Sequence, residues 1–579
     1  VDGGPTGRDR SGIVAAATLA VLFAALLWVS WLRWGHVRID AGGALDRAAR
    51  IAQGEVLYRD VLSPYPPLPD YTVAAAFRLF GIRLGVAYAI GIVLLVLESL
   101  LLWRLGARFL TRVERVVGLA MFWVVFAFAP GPFGWILPNV FASTFGAVAA
   151  TAALLAALRA QEDGTARWLV VASVLAAVAG LCKVEFGFAA AATAIGAACL
   201  RPAGRGRALV AAIVPGLLLA AVVAAVVVAF VPLQTVLHDN VFRVRSLGHT
   251  QAMLAAVVPH VSQLTREVVL RYLVELPVRA VAVGRGLELA TREGPGRLLG
   301  GGLVLAALLV PLVPGYQPPF DFTLEGSVRG FAWTPAVWVA VTVATWRARH
   351  GDRVALAVAL AALWSVCLSL RWEGRILWAS YNAVLAPFLV LLVVGRLAAL
   401  AAPRFGATAG AAVVATAVAA AGVANARHFA EHYVFLLSYP RGAIRTVPFE
   451  GRPLATVIDY VRAHTTPEEY VVALPEERLI NFLAERRHPT RDTGAGPGWL
   501  ATPEDEARFI QEIEARPTCL LVLSPRRYPE FGTGALADYN PGLMAYIAAN
   551  WVEAMATDGE LVKYTVYRPR VGGRCRHGS

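Results

Sequence analysis

The chain has 579 residues, of which 57% are hydrophobic and only 16% charged, with a mean hydropathy of +0.59. A soluble globular chain carries about 45–50% apolar and about 25% charged residues, so an ordinary soluble enzyme and a disordered chain are both excluded. The net charge of +13 is almost all arginine, since Lys183 and Lys563 are the only lysines; in so apolar a chain it reads as arginine flanking membrane spans, not as a nucleic-acid surface.

Apolar runs long enough to cross about 30 Å recur along the chain. They fall at 12–33, 83–103, 116–130, 139–158, 167–182, 184–200, 208–232, 297–314, 331–346, 353–370, 377–395 and 407–425. The first is too long for a signal-peptide core and is read as a retained helix. Arginine bias marks the cytoplasmic loops: Arg8 and Arg10, then Arg104 to Arg115, Arg159 and Arg167, Arg201 to Arg207, Arg347 to Arg353, and Arg396 with Arg404. The N-terminus is then inside and the loop 34–81 outside. Keeping 347–353 inside requires one more crossing within 256–284, although Arg266, Glu267, Arg271, Glu275 and Arg279 make that segment a poor span.

From Asn425 the composition turns polar and mixed. Helices are expected at 453–464, 475–485, 503–515 and 541–550, and strands at 470–474, 519–523 and 561–567. The fold expected is a polytopic α-helical membrane protein of about 13 transmembrane helices over 1–425, followed by an extracytoplasmic α/β domain over 426–579. Cys182, Cys199, Cys367, Cys519 and Cys575 form no CxxC pair and indicate neither a zinc site nor a disulfide framework. No phosphate-binding glycine loop is present.

The most informative stretch is the first outer loop, 34–81. Residues 42–53 place Ala44, Leu45, Ala48 and Ala52 on one helical face and Asp46, Arg47, Arg50 and Gln53 on the other, a pattern suited to the membrane interface. Pro66 and Pro67 open a second helix with an apolar stripe of Leu68, Tyr71, Ala75 and Leu79. Asp40 follows the first span by a few residues. A carboxylate at that depth can act as general base on an acceptor hydroxyl while nearby cations hold a lipid-borne phosphate. The plainer reading of Asp40 and Asp60 is as solvated loop residues.

Asp40, the amphipathic helix, Gly54-Glu55-Val56-Leu57-Tyr58-Arg59-Asp60, Pro66-Pro67-Leu68 and Phe80-Gly81 together resemble the GT-C superfamily of membrane glycosyltransferases. The branch resembled contains protein O-mannosyltransferases, the lipid A aminoarabinose transferase and RgtA/B/C/D-like enzymes. The resemblance implies a GT-C-like fold and a polyprenyl-phosphate sugar donor. It further implies inversion at the anomeric carbon on the outer face of the membrane. It makes Asp40 the catalytic base, and has Arg59 and Asp60 shape the loop or meet the donor phosphate. Some members carry a lysine beside the two prolines; here Ser63, Pro64 and Tyr65 stand there, so another cation must serve. An Asp-x-Asp motif is missing, so no cofactor is assigned and a divalent metal has no support.

Lys183 and Glu185 interrupt an apolar stretch from Gly180 to Gly187, a turn similar to ones in that superfamily. Lys183 reads as a donor-phosphate contact or as a snorkelling lysine paired with Glu185. Arg371, Glu373 and Arg375 form a second outer turn, read as a phosphate site or an interfacial salt-bridge cluster. Asn139 reads as a helix cap in preference to a residue lining the acceptor cleft, and Glu98 as an interface residue or an arginine partner in preference to a transport role. The segment Asn481–Arg491 resembles a stretch in the C-terminal domain of similar membrane glycosyltransferases, which implies acceptor or loop docking; the plainer reading is a helix end followed by a proline turn.

The function expected is transfer of a sugar from a polyprenyl-phosphate donor to an outer-face hydroxyl on a lipid, glycan or protein, in a bacterial-type cell membrane. The partners are that donor, the unidentified acceptor and membrane lipids, with no nucleic acid. A membrane transporter or lipid flippase is the alternative, and a non-catalytic assembly or sensor protein a third class.

Overall fold

The computed structural model describes residues 6–38, 41–131, 134–201, 203–237, 239, 286, 289, 296, 299, 353–369, 384–401, 406–492, 494–500, 502–527, 534–559, 562–570 and 575. The helices in chain order are α1 (Thr6–Val29), α2 (Ala41–Ala52), α3 (Leu68–Phe80), α4 (Leu84–Gly106) and α5 (Arg112–Phe122), which runs on as a π turn over Trp123–Ala127. Then come α6 (Phe141–Asp163), α7 (Arg167–Cys182), α8 (Val184–Cys199), α9 (Arg205–Phe230), the short α10 (Leu233–Leu237), α11 (Arg353–Ser369), α12 (Ala386–Ala401) and α13 (Gly406–His432). Among the described residues five helices are long and apolar enough to cross a membrane: Ser11–Val29, Leu84–Gly106, Phe141–Asp163, Arg205–Phe230 and Thr408–His432. The chain is a polytopic helical membrane protein. The crossings expected at 256–284 and 331–346, and all of 297–314 but Leu299, lie outside the described residues, and with them the count of thirteen.

The bundle is packed through small residues. Alanines of α6, α7 and α8 lie fully buried, and α11 packs on α6 and α8. Small side chains let helix backbones approach where no water drives them together. Inside this bundle Glu98 of α4 is buried and accepts a hydrogen bond from Thr151 Oγ1 at 2.8 Å. It neither reaches an interface nor, among the described residues, meets an arginine. Asn139 does not cap α6; Val140 holds that position, without a side-chain cap.

Arginines gather at one end of the bundle. Arg108 pairs with Glu162 at 2.6 Å, Arg201 donates to the Ala160 carbonyl, and Arg112 donates to the Ser11 hydroxyl. The opposite end carries α2, α3 and the first strands of the C-terminal region. There Tyr88 Oη donates to the Ala443 carbonyl at 3.0 Å and Leu84 N to the Arg441 carbonyl at 2.7 Å.

The C-terminal region opens with a hairpin of β1 (Phe435–Tyr439) and β2 (Gly442–Thr446), then α14 (Pro448–His464). Next are β3 (Tyr470–Leu474), α15 (Arg478–Ala484), α16 (Pro503–Glu514), β4 (Thr518–Leu523), the short α17 (Leu536–Tyr539), α18 (Pro541–Asn550), β5 (Trp551–Ala556) and β6 (Thr565–Pro569). The sheet order is β3-β4-β6-β5, with β3 and β4 parallel and the other pairs antiparallel. The parallel pair is apolar because it is covered on both faces, as buried parallel strands are. The hairpin and β5 were not expected from the sequence, and the last strand starts at Thr565, not 561. One further correction concerns the cysteines. Cys519 and Cys575 form a disulfide with 5.6 Å between Cα atoms, which their 56-residue spacing did not signal.

Candidate functional site

The site is built from the first loop outward. Helix α2 forms where expected, but its polar face is not at an interface. Asp46, Arg47 and Arg50 are all buried, because α3 and α15 close over that face. A Cβ on Gly42 would stand 2.5 Å from the Leu479 backbone nitrogen, so only glycine permits α15 to approach this closely. Helix α3 also turns the other way from its expected stripe. Tyr71, Ala75 and Leu79 face out, and Asp70, Val73, Ala74 and Phe77 face in. Asp70 turns inward because Arg47 pairs with it at 2.9 Å. Charges buried this deeply persist only when paired and hydrogen-bonded.

These buried arginines fix two turns. Arg50 pairs with Glu55 at 2.7 Å and donates to the carbonyls of Asp60 and Thr490, each at 2.9 Å. Asp60 accepts from Val56 N at 2.8 Å and from Arg59 in two-pronged fashion at 3.0 and 2.8 Å. The Arg59 hydrogen bond is the main reason the Asp60 carboxyl lies below the usual range. Tyr58 sits at φ 66°, buried, with its hydroxyl donating to the Tyr65 carbonyl at 2.7 Å. Thus Tyr58 ties the turn 56–61 to the turn 63–67. Ser63 Oγ closes the second turn by donating to Asp70 at 2.9 Å. The segment ending at Arg491 docks on this loop: its guanidinium donates to the Tyr58 carbonyl at 2.8 Å, and Leu62 N donates to its carbonyl at 2.9 Å.

Lys183 reaches the same loop from the bundle. It stands between α7 and α8, with Gly180 and Gly187 bringing the two helices together. A Cβ on Gly187 would lie 2.3 Å from Gly180 Cα. The hairpin tip therefore presents Lys183 and Glu185 side by side, with Nζ 3.0 Å from Glu185 Oε1 and 3.0 Å from Ser143 Oγ. Nζ is also 5.8 Å from the centre of the Tyr65 ring. A cation from about 120 residues away in sequence thus stands beside the turn that precedes Pro66 and Pro67. Gly187→Ala is expected to force these helices apart, at about 1–3 kcal/mol for overpacking. Thermal unfolding in detergent should show a lowered midpoint, whereas Gly43→Ala, whose Cβ meets nothing within 4 Å, should not.

A second cluster lies where the chain approaches Asp40. His36 Nε2 is 3.6 Å and Arg38 Nη1 4.0 Å from Glu450 of α14. Burial, then the charges of Arg38 and Arg526, hold the His36 imidazole down to about 4, so it is neutral near pH 7. Glu477 accepts from Tyr564 Oη at 3.2 Å. Burial pushes its carboxyl from 4.5 up to about 7, against the pull of Arg38 and Arg526. Between those values the folded chain holds a proton that the unfolded chain has lost, so stability falls as pH rises through that window. Glu477→Gln is expected to flatten the decline in melting temperature between pH 5 and pH 8; an unchanged slope would exclude Glu477 as its source.

Of the residues picked from sequence, Lys183 approaches Tyr65 in the loop that also holds Arg59 and Asp60, and Glu185 pairs with Lys183. Asp40, Arg371 and Arg375 lie outside the described residues. The sequence showed Tyr58 within the Gly54–Asp60 motif and Tyr65 beside the two prolines but gave neither a role, and it gave none to Asp70 or Ser143. Among the described residues one cluster groups three potential metal ligands, Glu469, Cys519 and Cys575, and its two sulfurs are joined in the disulfide.

No family model matches the chain, and no curated protein matches it in sequence. Two of the solved structures that match show a loose likeness. ArnT from Cupriavidus metallidurans bound to undecaprenyl phosphate is 14% identical, with a TM-score of 0.44 over 99% of this chain and 99% of that one. The apo state of the same protein gives 14% and 0.44 over 96% and 98%. A likeness this loose settles neither family nor activity.

Proposed function

We propose that the chain is a GT-C type inverting glycosyltransferase that moves a sugar from a polyprenyl-phosphate donor to a hydroxyl outside the cell membrane. Asp40 takes the proton from the acceptor hydroxyl. The freed oxygen attacks the anomeric carbon from the face opposite the phosphate. The bond from that carbon to the phosphate oxygen breaks, and polyprenyl phosphate leaves with the bonding electrons. Lys183 offsets the charge that gathers on the departing phosphate, where a preformed cation is most effective. Glu185 and Ser143 orient Lys183, and Asp60 with Arg59 keeps the turn in shape. Arg371 and Arg375 are proposed as further phosphate contacts.

The observation that carries this reading is the approach of Lys183 to Tyr65 in the turn just before Pro66 and Pro67. It joins a cation at the end of two apolar helices to the loop that follows Asp40, a place where a lipid phosphate and an aqueous acceptor can meet. The proposal divides the chain into a membrane part over 1–425 and an extracytoplasmic part over 426–579. Arginine at the opposite end of the bundle supports that orientation. So does the Cys519–Cys575 disulfide, since such bonds persist in oxidising compartments.

The test supplies the purified chain with labelled polyprenyl-phosphate sugars and membrane fractions as acceptors. Label should pass to an acceptor while polyprenyl phosphate accumulates. Passage of the intact donor across vesicles without transfer would overturn the reading in favour of a flippase.

A further inference from the structure

The arginine-bearing end of the bundle holds a feature that the transfer reaction leaves unused. A groove of about 710 Å³ opens between α1, α4 and α5, walled by apolar side chains such as Leu19, Phe23, Leu100 and Trp103. Arg112 and Arg115 line it at its arginine-bearing end. A second groove of about 420 Å³ on the other flank of α4 shares Trp103 and Arg115 with the first.

Arg115 is held between the two. Its guanidinium stacks on the Trp103 ring at 4.3 Å, and a Cβ on Gly106 would lie 3.1 Å from its Cγ. Its Nε is buried without a hydrogen-bond partner. The nearby carboxylates are engaged elsewhere: Glu162 with Arg108 and Arg159, and Glu114 with the Thr111 cap. Among the residues whose side chains are described, no carboxylate pairs with Arg104, Arg112 or Arg115. The end of the groove is therefore cationic while its walls are apolar.

We infer that this groove binds an anionic phospholipid from the adjoining leaflet, with its phosphate at Arg112 and Arg115 and an acyl chain between α1 and α4. The length of apolar wall argues against a water-soluble anion, which would leave that surface uncovered. The two arginines lining the groove favour an anionic headgroup over a zwitterionic one, because basic pockets between helices recognise such headgroups. This site is independent of the transfer reaction and lies at the other end of the bundle.

The test is native mass spectrometry of the full chain, released from detergent after incubation with phosphatidylglycerol, phosphatidylcholine or glycerol phosphate. Phosphatidylglycerol should be retained at least about tenfold more strongly than phosphatidylcholine, and glycerol phosphate should not displace it. Each basic residue near a membrane surface contributes about fivefold, so the double variant Arg112→Gln/Arg115→Gln should lose at least about tenfold. Leu19→Trp, which fills the groove and keeps both charges, should lose retention as well. Arg207→Gln, an exposed arginine at the start of α9, should retain it. Equal retention of the two lipids, displacement by glycerol phosphate, or full retention by Leu19→Trp would each overturn the assignment.

Discussion

The double substitution Lys183→Gln/Glu185→Gln is expected to lower kcat/KM for a polyprenyl-phosphate sugar by about 10²–10³, the range lost when one preorganised charge-stabilising donor is removed. Both partners change together for a physical reason. Removing Lys183 alone would take the ammonium 3.0 Å away from Glu185, which is 3% exposed, and the cost of burying that carboxylate without its cation would confuse folding with catalysis. The double variant keeps the volume and loses only the charges. Its melting temperature should therefore stay near that of the wild type while transfer falls. Lys183→Arg is expected to recover only part of the rate. A planar fork does not reproduce a compact ammonium placed between Ser143, Glu185 and Tyr65. Unchanged kinetics in the double variant would remove Lys183 from the donor site.

Asp40→Asn is expected to lower kcat by about 10²–10⁴ and to leave donor affinity within about threefold, as for loss of a general base that does not bind the donor. The pH profile separates this from a structural fault. The wild-type rate should rise with pH through an acidic limb as the base loses its proton, and that limb should vanish in the variant. A donor bound as tightly as by the wild type, with transfer lost at every pH, is the expected pattern. Equal loss of binding and rate would make Asp40 a binding residue and leave the base unassigned.

Much of the architecture was legible because a membrane imposes simple lengths and charge biases. The spans read at 167–182 and 184–200 correspond to α7 and α8 almost residue for residue, and the strand read at 470–474 is β3. The helical hairpin signal is local: small residues, a break at Lys183, and apolar runs on either side. Long-range choices were not legible. The charged face of α2 looked like a surface because nothing nearby in sequence says that α15 and α3 will cover it. The stripe of α3 pointed outward for the same reason, since its exposed face is apolar too and an apolar stripe no longer marks the core. The Cys519–Cys575 pair depends on a sheet that joins β4 to the tail.

The site was half legible. Arg59 and Asp60 stood out as a motif, and their contacts show a turn held in shape. Lys183 stood out because lysine is so scarce in this chain. What no pattern revealed was the link between them. Tyr58 bonds to Tyr65, and Tyr65 meets Lys183, so residues far apart in sequence share one corner.

The central claim is that Lys183 and the first loop together hold a lipid phosphate. The measurement closest to it is equilibrium binding of polyprenyl phosphate, without a sugar, to the purified chain and to Lys183→Gln/Glu185→Gln. The account predicts binding that weakens with salt, falls at least about tenfold in the variant, and changes little in Arg59→Gln, whose guanidinium is already engaged by Asp60. Equal affinity in wild type and double variant would contradict it.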